Sequence, residues 1–257
     1  MYAIGSSSSF YRPVRLVLPA ALLALALAAS GCIPSAVRKS ASFDRAALSA
    51  VGVMPSEIDY VPPLRPEISE AERAETEAEI ASLVAEAVRN VFTRTPIAPT
   101  LVVLTDSALA ADSTLRLDLT RVREELNLRL DSIKTATNPI SFSLGTGTAQ
   151  FGELAGTPYL MLARGTAEAR GSERVRDSAP IPIPIPIPTG ILTIGIPTTS
   201  ASLAWLSLEL TLVDARTGEV VWYNTSGAHL TLRSGPAIER LVETMMFTLA
   251  PGRLTTR

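Results

Sequence analysis

The chain holds one histidine and one cysteine, so any reaction chemistry must be assembled from very few reactive side chains. His229 stands in an alternating run, Ala228-His229-Leu230-Thr231-Leu232, that reads as a strand, where a lone imidazole is a surface or satisfied residue. A hydrolase triad would have to recruit it, and no serine sits in a nucleophile-elbow setting. Glu124 and Glu125 are the kind of carboxylate pair a glycosidase uses, but they lie on the exposed side of a helix-period segment. Gly145-Thr146-Gly147 has the opening of a phosphate loop without its third glycine or its lysine. One cysteine permits no internal disulfide, and one histidine beside it permits no His/Cys metal constellation. The expectation is a non-enzymatic chain with no catalytic residue, no cofactor-binding or metal-binding residue, no cofactor and no evident small-molecule substrate.

Cys32 has a different use. Residues 1–31 read as an export signal, with Arg12 and Arg15 followed at 16–29 by fourteen apolar residues without a charge. That run is shorter than the roughly 20 residues a membrane-spanning helix needs. Ala29-Ser30-Gly31-Cys32 resembles the bacterial lipobox, which implies lipidation of Cys32, a signal peptide ending at 31, and a small polar tether over 32–42. Each buried methylene of an acyl chain contributes about 0.8 kcal/mol, and two or more chains make a stable anchor. Ile33 occupies the place where an inner-membrane retention signal carries Asp, so the resemblance favours the periplasmic face of the outer membrane. In that setting the glycosylation sequon Asn224-Thr225-Ser226 is accidental.

Charge narrows the partners. Without Arg12 and Arg15 the chain keeps 21 basic against 25 acidic residues, a balance of −4. A nucleic-acid ligand calls for a basic face, and none is evident. The remaining partners are the membrane, through the N-terminal lipid, and another protein or a second copy of the chain.

The elements that must position these residues are legible from periodicity. At 206–226, Leu206, Leu208, Leu210 and Leu212 alternate with Ser207, Glu209 and Thr211, the period of a strand with one buried face. Asp214-Ala215-Arg216-Thr217-Gly218 suits a type I turn with a glycine bulge, and Val220-Val221-Trp222-Tyr223 supplies β-branched and aromatic residues to both faces of a second, interior strand. Ala50–Val53 reads as a buried strand ended by Met54-Pro55. A capping box at Ser69 and Glu72 opens a long helix to about Arg94, with a stripe at Ala74, Ala78, Ala81, Val84, Val88 and Val91. A strand at 101–104, a second helix stripe through Leu119, Val122, Leu126, Leu130 and Ile133, an alternating run at 140–144, a strand at 159–169 and a final helix from Gly235-Pro236 to Pro251-Gly252 complete the order. The sum is an α/β (α+β) class: a mixed β-sheet with helices packed on it, forming a single compact periplasmic domain over 43–257 after a lipoprotein signal.

One insertion does not belong to that pattern. Residues 179–197, APIPIPIPIPTGILTIGIP, alternate isoleucine and proline, which keeps the chain extended and deletes every second N–H, all on one edge. The segment folds back on its own domain, docks on a partner or neighbouring subunit, or dips into the membrane. The candidate contact residues are Ile181, Ile183, Ile185, Ile187, Ile191 and Ile194.

The lipobox, the strand VGVMP, the long helix, the strand entered as GTPYLMLARG and the closing LELTLVDARTGEVVW together resemble the curli-secretion-type family of outer-membrane lipoproteins, which includes lipoproteins that activate penicillin-binding proteins. The resemblance covers about 45–250, with insertions at 95–150 and 170–200 that do not align. It implies a non-enzymatic adaptor or assembly module on the periplasmic face of the outer membrane. The alternative it raises is a subunit of an oligomeric secretion channel, whose copies contribute hairpins to a membrane barrel. Against a barrel wall, 181–188 offers proline where lumen-facing polar residues belong, and each missing N–H leaves a carbonyl unpartnered in lipid. The expectation is therefore a protein-contact segment.

Overall fold

The computed structural model describes residues 37–63, 68–95, 97–98, 100–169 and 204–249, together with the backbone of two strands in the insertion. Cys32 and the signal lie outside the described residues, as do Pro251 and Gly252.

The sheet has seven strands: β1 (Arg38–Lys39), β2 (Ala50–Val53), β3 (Glu57–Val61), β4 (Thr100–Val103), β5 (Tyr159–Glu168), β8 (Ala204–Asp214) and β9 (Val220–Leu230). Its order is β1-β9-β8-β5-β2-β4, with β3 also paired to β5. The pairs β2–β4, β2–β5 and β3–β5 are parallel, and β5–β8, β8–β9 and β1–β9 are antiparallel, so the sheet is mixed as the element order implied. β2 and β3 share one edge of β5 in succession, β2 against Tyr159–Met161 and β3 from Arg164 onward. The break between them falls at Met54-Pro55-Ser56, where proline removes a ladder donor. β3 is a strand that the sequence periodicity does not announce.

Five helices flank the sheet among the described residues: α1 (Glu70–Arg94), α2 (Asp106–Ala110), α3 (Ser113–Thr135), α4 (Thr148–Ala155) and α5 (Gly235–Met246). α1 connects β2 and β3 to β4, moving outward across the sheet, and α2 to α4 connect β4 back across β2 to β5. Parallel crossovers are right-handed almost without exception, so two crossovers that travel in opposite directions must lie on opposite faces. The two cores bear this out. Ile80, Val84, Val88 and Phe92 of α1 and Ile238, Val242 and Met245 of α5 join Leu206, Leu208, Leu210 and Leu212. On the other face Leu119, Val122, Leu126 and Ile133 of α3 and Phe151 of α4 join Leu160, Val220 and Tyr223. Strand β9 is buried on both sides, with Trp222 in one core and Tyr223 in the other.

The capping box closes as the sequence demands. Ser69 Oγ accepts from the Glu72 N–H and Glu72 Oε2 accepts from the Ser69 N–H, at 3.2 and 2.8 Å. The stripe of α1 differs from expectation in its first turns. Ala74 and Ala78 of those turns are exposed, and burial begins only at Ile80. There Arg73 bridges Asp59 of β3 and Glu77 at 2.7 and 2.9 Å, and Glu77 accepts the Tyr60 N–H. The run 140–144 is extended without forming a strand: Ile140 and Leu144 donate to Lys39 and Gly218 carbonyls, and only isolated bridges result.

Candidate functional site

The closing hairpin fixes the frame in which any site must sit. Asp214 Oδ1 accepts from the N–H groups of Arg216 and Thr217 at 3.0 and 2.9 Å, and the Gly218 N–H donates to the Asp214 carbonyl at 2.8 Å. Gly218 has φ +71°, the left-handed conformation expected for the bulge glycine. The Gly145-Thr146-Gly147 loop clasps this turn. Leu144 donates to the Gly218 carbonyl, Ser143 Oγ to the Thr217 carbonyl, and Thr148 Oγ1 to the Ala215 carbonyl at 2.8 Å. Gly145 takes φ +77° here, a left-handed conformation that glycine adopts freely, so this glycine serves the path of a loop folded over a turn.

A cleft of about 590 Å³ opens between α3 and this loop, lined by Asp118, Arg121, Glu125, Arg129, Thr146 and Gln150 among others. Its charges are internally paired, Arg121 to Asp118 at 3.3 Å and Arg129 to Glu125 at 2.8 Å. Glu125 is thus in an ion pair and Glu124 is exposed. His229 is exposed on β9 and meets Trp205 edge to face, with ring centroids 4.8 Å apart. Asn224, the sequon asparagine, is buried, and its Nδ2 donates to the Met245 carbonyl at 2.7 Å, holding α5 to the sheet. Among the described residues no group of three or more His, Cys, Asp and Glu is placed to hold a metal ion. No helix among them is long and apolar enough to cross a membrane.

The α3 face of β8 is polar at its centre. Glu209 pairs with Lys134 at 2.6 Å, and Asn127 accepts from Arg164 across the neighbouring strand. Burial and the nearby Glu209 carboxylate raise the pKa of the Tyr223 phenol well above its ordinary value. The expectation of one buried face for β8 is thus too simple: the Ser207, Glu209 and Thr211 side lies under α3, and Thr211 is fully covered.

The insertion leaves the sheet after Glu168 and re-enters at Ala204, beside the point where Glu168 pairs with Trp205. Its backbone forms an antiparallel hairpin, β6 (Ile181–Ile187) and β7 (Gly190–Ile196), separate from the seven-stranded sheet. The register sets Ile183 opposite Ile194 and Ile185 opposite Leu192. Directly opposed residues share a face, so Ile181, Ile183, Ile185 and Ile187 share theirs with Ile194. Ile191 stands opposite Pro186 and belongs to the other face, a division that the sequence reading, with six isoleucines in one set, did not make.

Comparison with known proteins finds no family model that matches the chain and no match among curated proteins. Solved structures with similarity include the PelC dodecamer from Paraburkholderia phytofirmans, 11% identical with a TM-score of 0.39, over 86% of this chain and 99% of that one. They also include lipoprotein GNA1162 from Neisseria meningitidis, 10% identical with a TM-score of 0.31, over 80% of this chain and 99% of that one. A PDZ domain protein from Parabacteroides distasonis is 10% identical with a TM-score of 0.34, over 93% of this chain and 40% of that one. Likeness at this level assigns no family, and the curli-secretion-type resemblance stays on the residues that carry it.

Proposed function

We propose that the protein is a lipid-anchored, non-enzymatic adaptor or assembly factor of the cell envelope, tethered to the periplasmic face of the outer membrane and working by contact with another polypeptide. The observation that carries the reading is the position of Cys32, the single cysteine of the chain, directly after a signal-like apolar run and three small residues. The reactive side chains support it: His229 is exposed with an aromatic neighbour, and the carboxylates of the α3 cleft are held in ion pairs. The contact surface is the insertion, where Ile181, Ile183, Ile185, Ile187, Ile191 and Ile194 concentrate aliphatic residues on a short hairpin. Replacing Cys32 with Ser should move the protein from the membrane fraction to the soluble periplasm. Retention in the membrane fraction would sink the anchoring part of the reading.

The second reading is a channel subunit whose hairpin lends two strands to a barrel. Its strands have seven residues each, short of the 9–11 that a tilted spanning strand needs. The prolines of β6 further deny a barrel the N–H groups it must pair. Purified protein in lipid vesicles should accordingly pass no ions; conductance that disappears when 181–196 becomes a Gly/Ser linker would establish the channel instead.

A further inference from the structure

The two edges of the inserted hairpin are unlike. Pro182, Pro184 and Pro186 stand opposite Gly195, Thr193 and Ile191, and proline has no N–H to give. The pairs that exchange backbone hydrogen bonds within the hairpin must then be the interleaved ones, such as Ile183 with Ile194 and Ile185 with Leu192. A strand directs its backbone groups alternately to its two edges, so the outer edge of β6 is made of prolines and presents carbonyls alone. The outer edge of β7 is made of Ile191, Thr193 and Gly195, each with a donor and an acceptor directed away from β6. Among the described residues no strand pairs with that edge. An uncharged strand, GILTIGI, with a free row of donors and acceptors is a template for strand addition.

We propose that this β7 edge pairs with the β7 edge of a second copy of the chain, antiparallel about Thr193, to give a four-stranded sheet closed by proline at both outer edges. The edge is self-complementary under a twofold axis, as an isologous contact requires. With Thr193 opposite its own copy, Ile191 meets the second copy's Gly195, and every directed N–H finds a carbonyl. Closure follows from the prolines: the pairing uses both open edges and leaves two that refuse a strand, so assembly stops at two copies. Pairing also removes a weakness, since an isolated two-stranded hairpin is marginal in water and additional strands stabilise it. The inference rests on the reading that the insertion is a protein contact, and names the partner.

The test uses the full chain carrying Cys32→Ser, in which Thr193→Cys provides the sole thiol. Directly opposed hydrogen-bonded residues have Cα atoms about 5.5 Å apart. That separation is within the range a disulfide bridges. Mild oxidation should therefore convert most of the protein to a covalent dimer. Adding Ile191→Pro, which removes an outward donor and leaves the β6–β7 ladder its own bonds, should abolish the cross-link and shift the sedimenting mass of the Cys32→Ser chain from dimer to monomer. Ile191→Val should change neither. A cross-link and mass indifferent to Ile191→Pro would overturn the pairing, as would a chain monomeric at every concentration. If a Gly/Ser replacement of 181–196 dissociates the copies where Ile191→Pro does not, the β7 pairing falls and the protein-contact reading stands. If neither variant changes the mass and the insertion captures no other envelope protein, both fall.

Discussion

Two antiparallel hairpins follow one another in this chain, and different forces hold them. In β8–β9 each strand has eleven residues, Leu206, Leu208 and Leu210 are fully buried, β5 pairs along the outer edge of β8, and β1 pairs with β9 at Trp222 and Tyr223. In β6–β7 each strand has seven residues, and among the described residues the strands pair only with each other. Both sequences alternate with a period of two. In the first, Leu alternates with Ser, Glu and Thr, so alternation sorts side chains between two faces while every backbone group remains free to pair. In the second, Ile alternates with Pro, so alternation also sorts donors between two edges. The same periodicity specifies sheet membership in one hairpin and edge polarity in the other. What decides between them is whether the second register holds a polar residue or a proline.

The comparison breaks most visibly at Trp222. It is fully buried, and its Nε1 donates to Thr248 Oγ1 at 3.2 Å. Trp222→Ala should cost about 3–5 kcal/mol, the range for emptying a buried aromatic site. A domain of this kind has about 5–15 kcal/mol in total. The urea midpoint should fall steeply with an unchanged slope; a loss under about 1 kcal/mol would show that burial does not hold β9.

A smaller effect belongs to the turn. Gly218→Ala must adopt a left-handed conformation that costs an L-residue about 1–2 kcal/mol. The new Cβ would also press on the Gly145 carbonyl oxygen, which must give way. The loss should exceed the conformational cost alone, and amide exchange should quicken first at Leu144 and Val220, whose N–H groups close the clasp. A third effect depends on pH. The folded-state pKa of Tyr223 is raised by burial and by Glu209, so the unfolded chain releases the phenolic proton at lower pH than the folded one. The stability it contributes is fully present below about pH 10. It is lost as pH rises through the folded value, at about 1.4 kcal/mol per pH unit from this group alone. Tyr223→Phe should flatten that alkaline limb; an unchanged limb would assign it to other groups.

Much of the frame was legible because its signals are local and periodic. The leucine alternation of β8, the DARTG turn, the capping box of α1 and the α3 stripe each state their element without help from the rest of the fold. What escaped depends on tertiary context. Glu57–Val61 is a short strand whose partner, β5, lies about a hundred residues on, and only Ile58 among its residues is buried. α4 has no capping side chain at its start, and its clearest sign was the glycine after Ala155, which takes φ +62° to stop it. The sequence of the glycine loop at 145–147 excluded a phosphate loop but did not show its use, because the turn it packs against lies some seventy residues away. The candidate contact was legible as a composition, whereas the split of Ile191 from the other isoleucines needed a register.

The smallest expected effect is the sharpest statement of the contrast. If β6–β7 is held by its own backbone pairing and serves contact alone, replacing 181–196 with a Gly/Ser linker should leave the unfolding free energy of the dilute, monomeric chain within about 0.5 kcal/mol, as for changes remote from any packed feature. Lengthening the flexible segment hardly enters, because loop-closure entropy grows only with the logarithm of loop length. At high concentration the two chains should part company. Association of folded copies adds stability by mass action, so the parental midpoint should rise with protein concentration and the linker variant's should not. A linker variant already destabilised by more than 1 kcal/mol in dilute solution would mean that the insertion contributes to its own domain. The first of the three readings of the isoleucine-proline run, a segment folded back on the sheet that carries it, would then replace contact with a second copy.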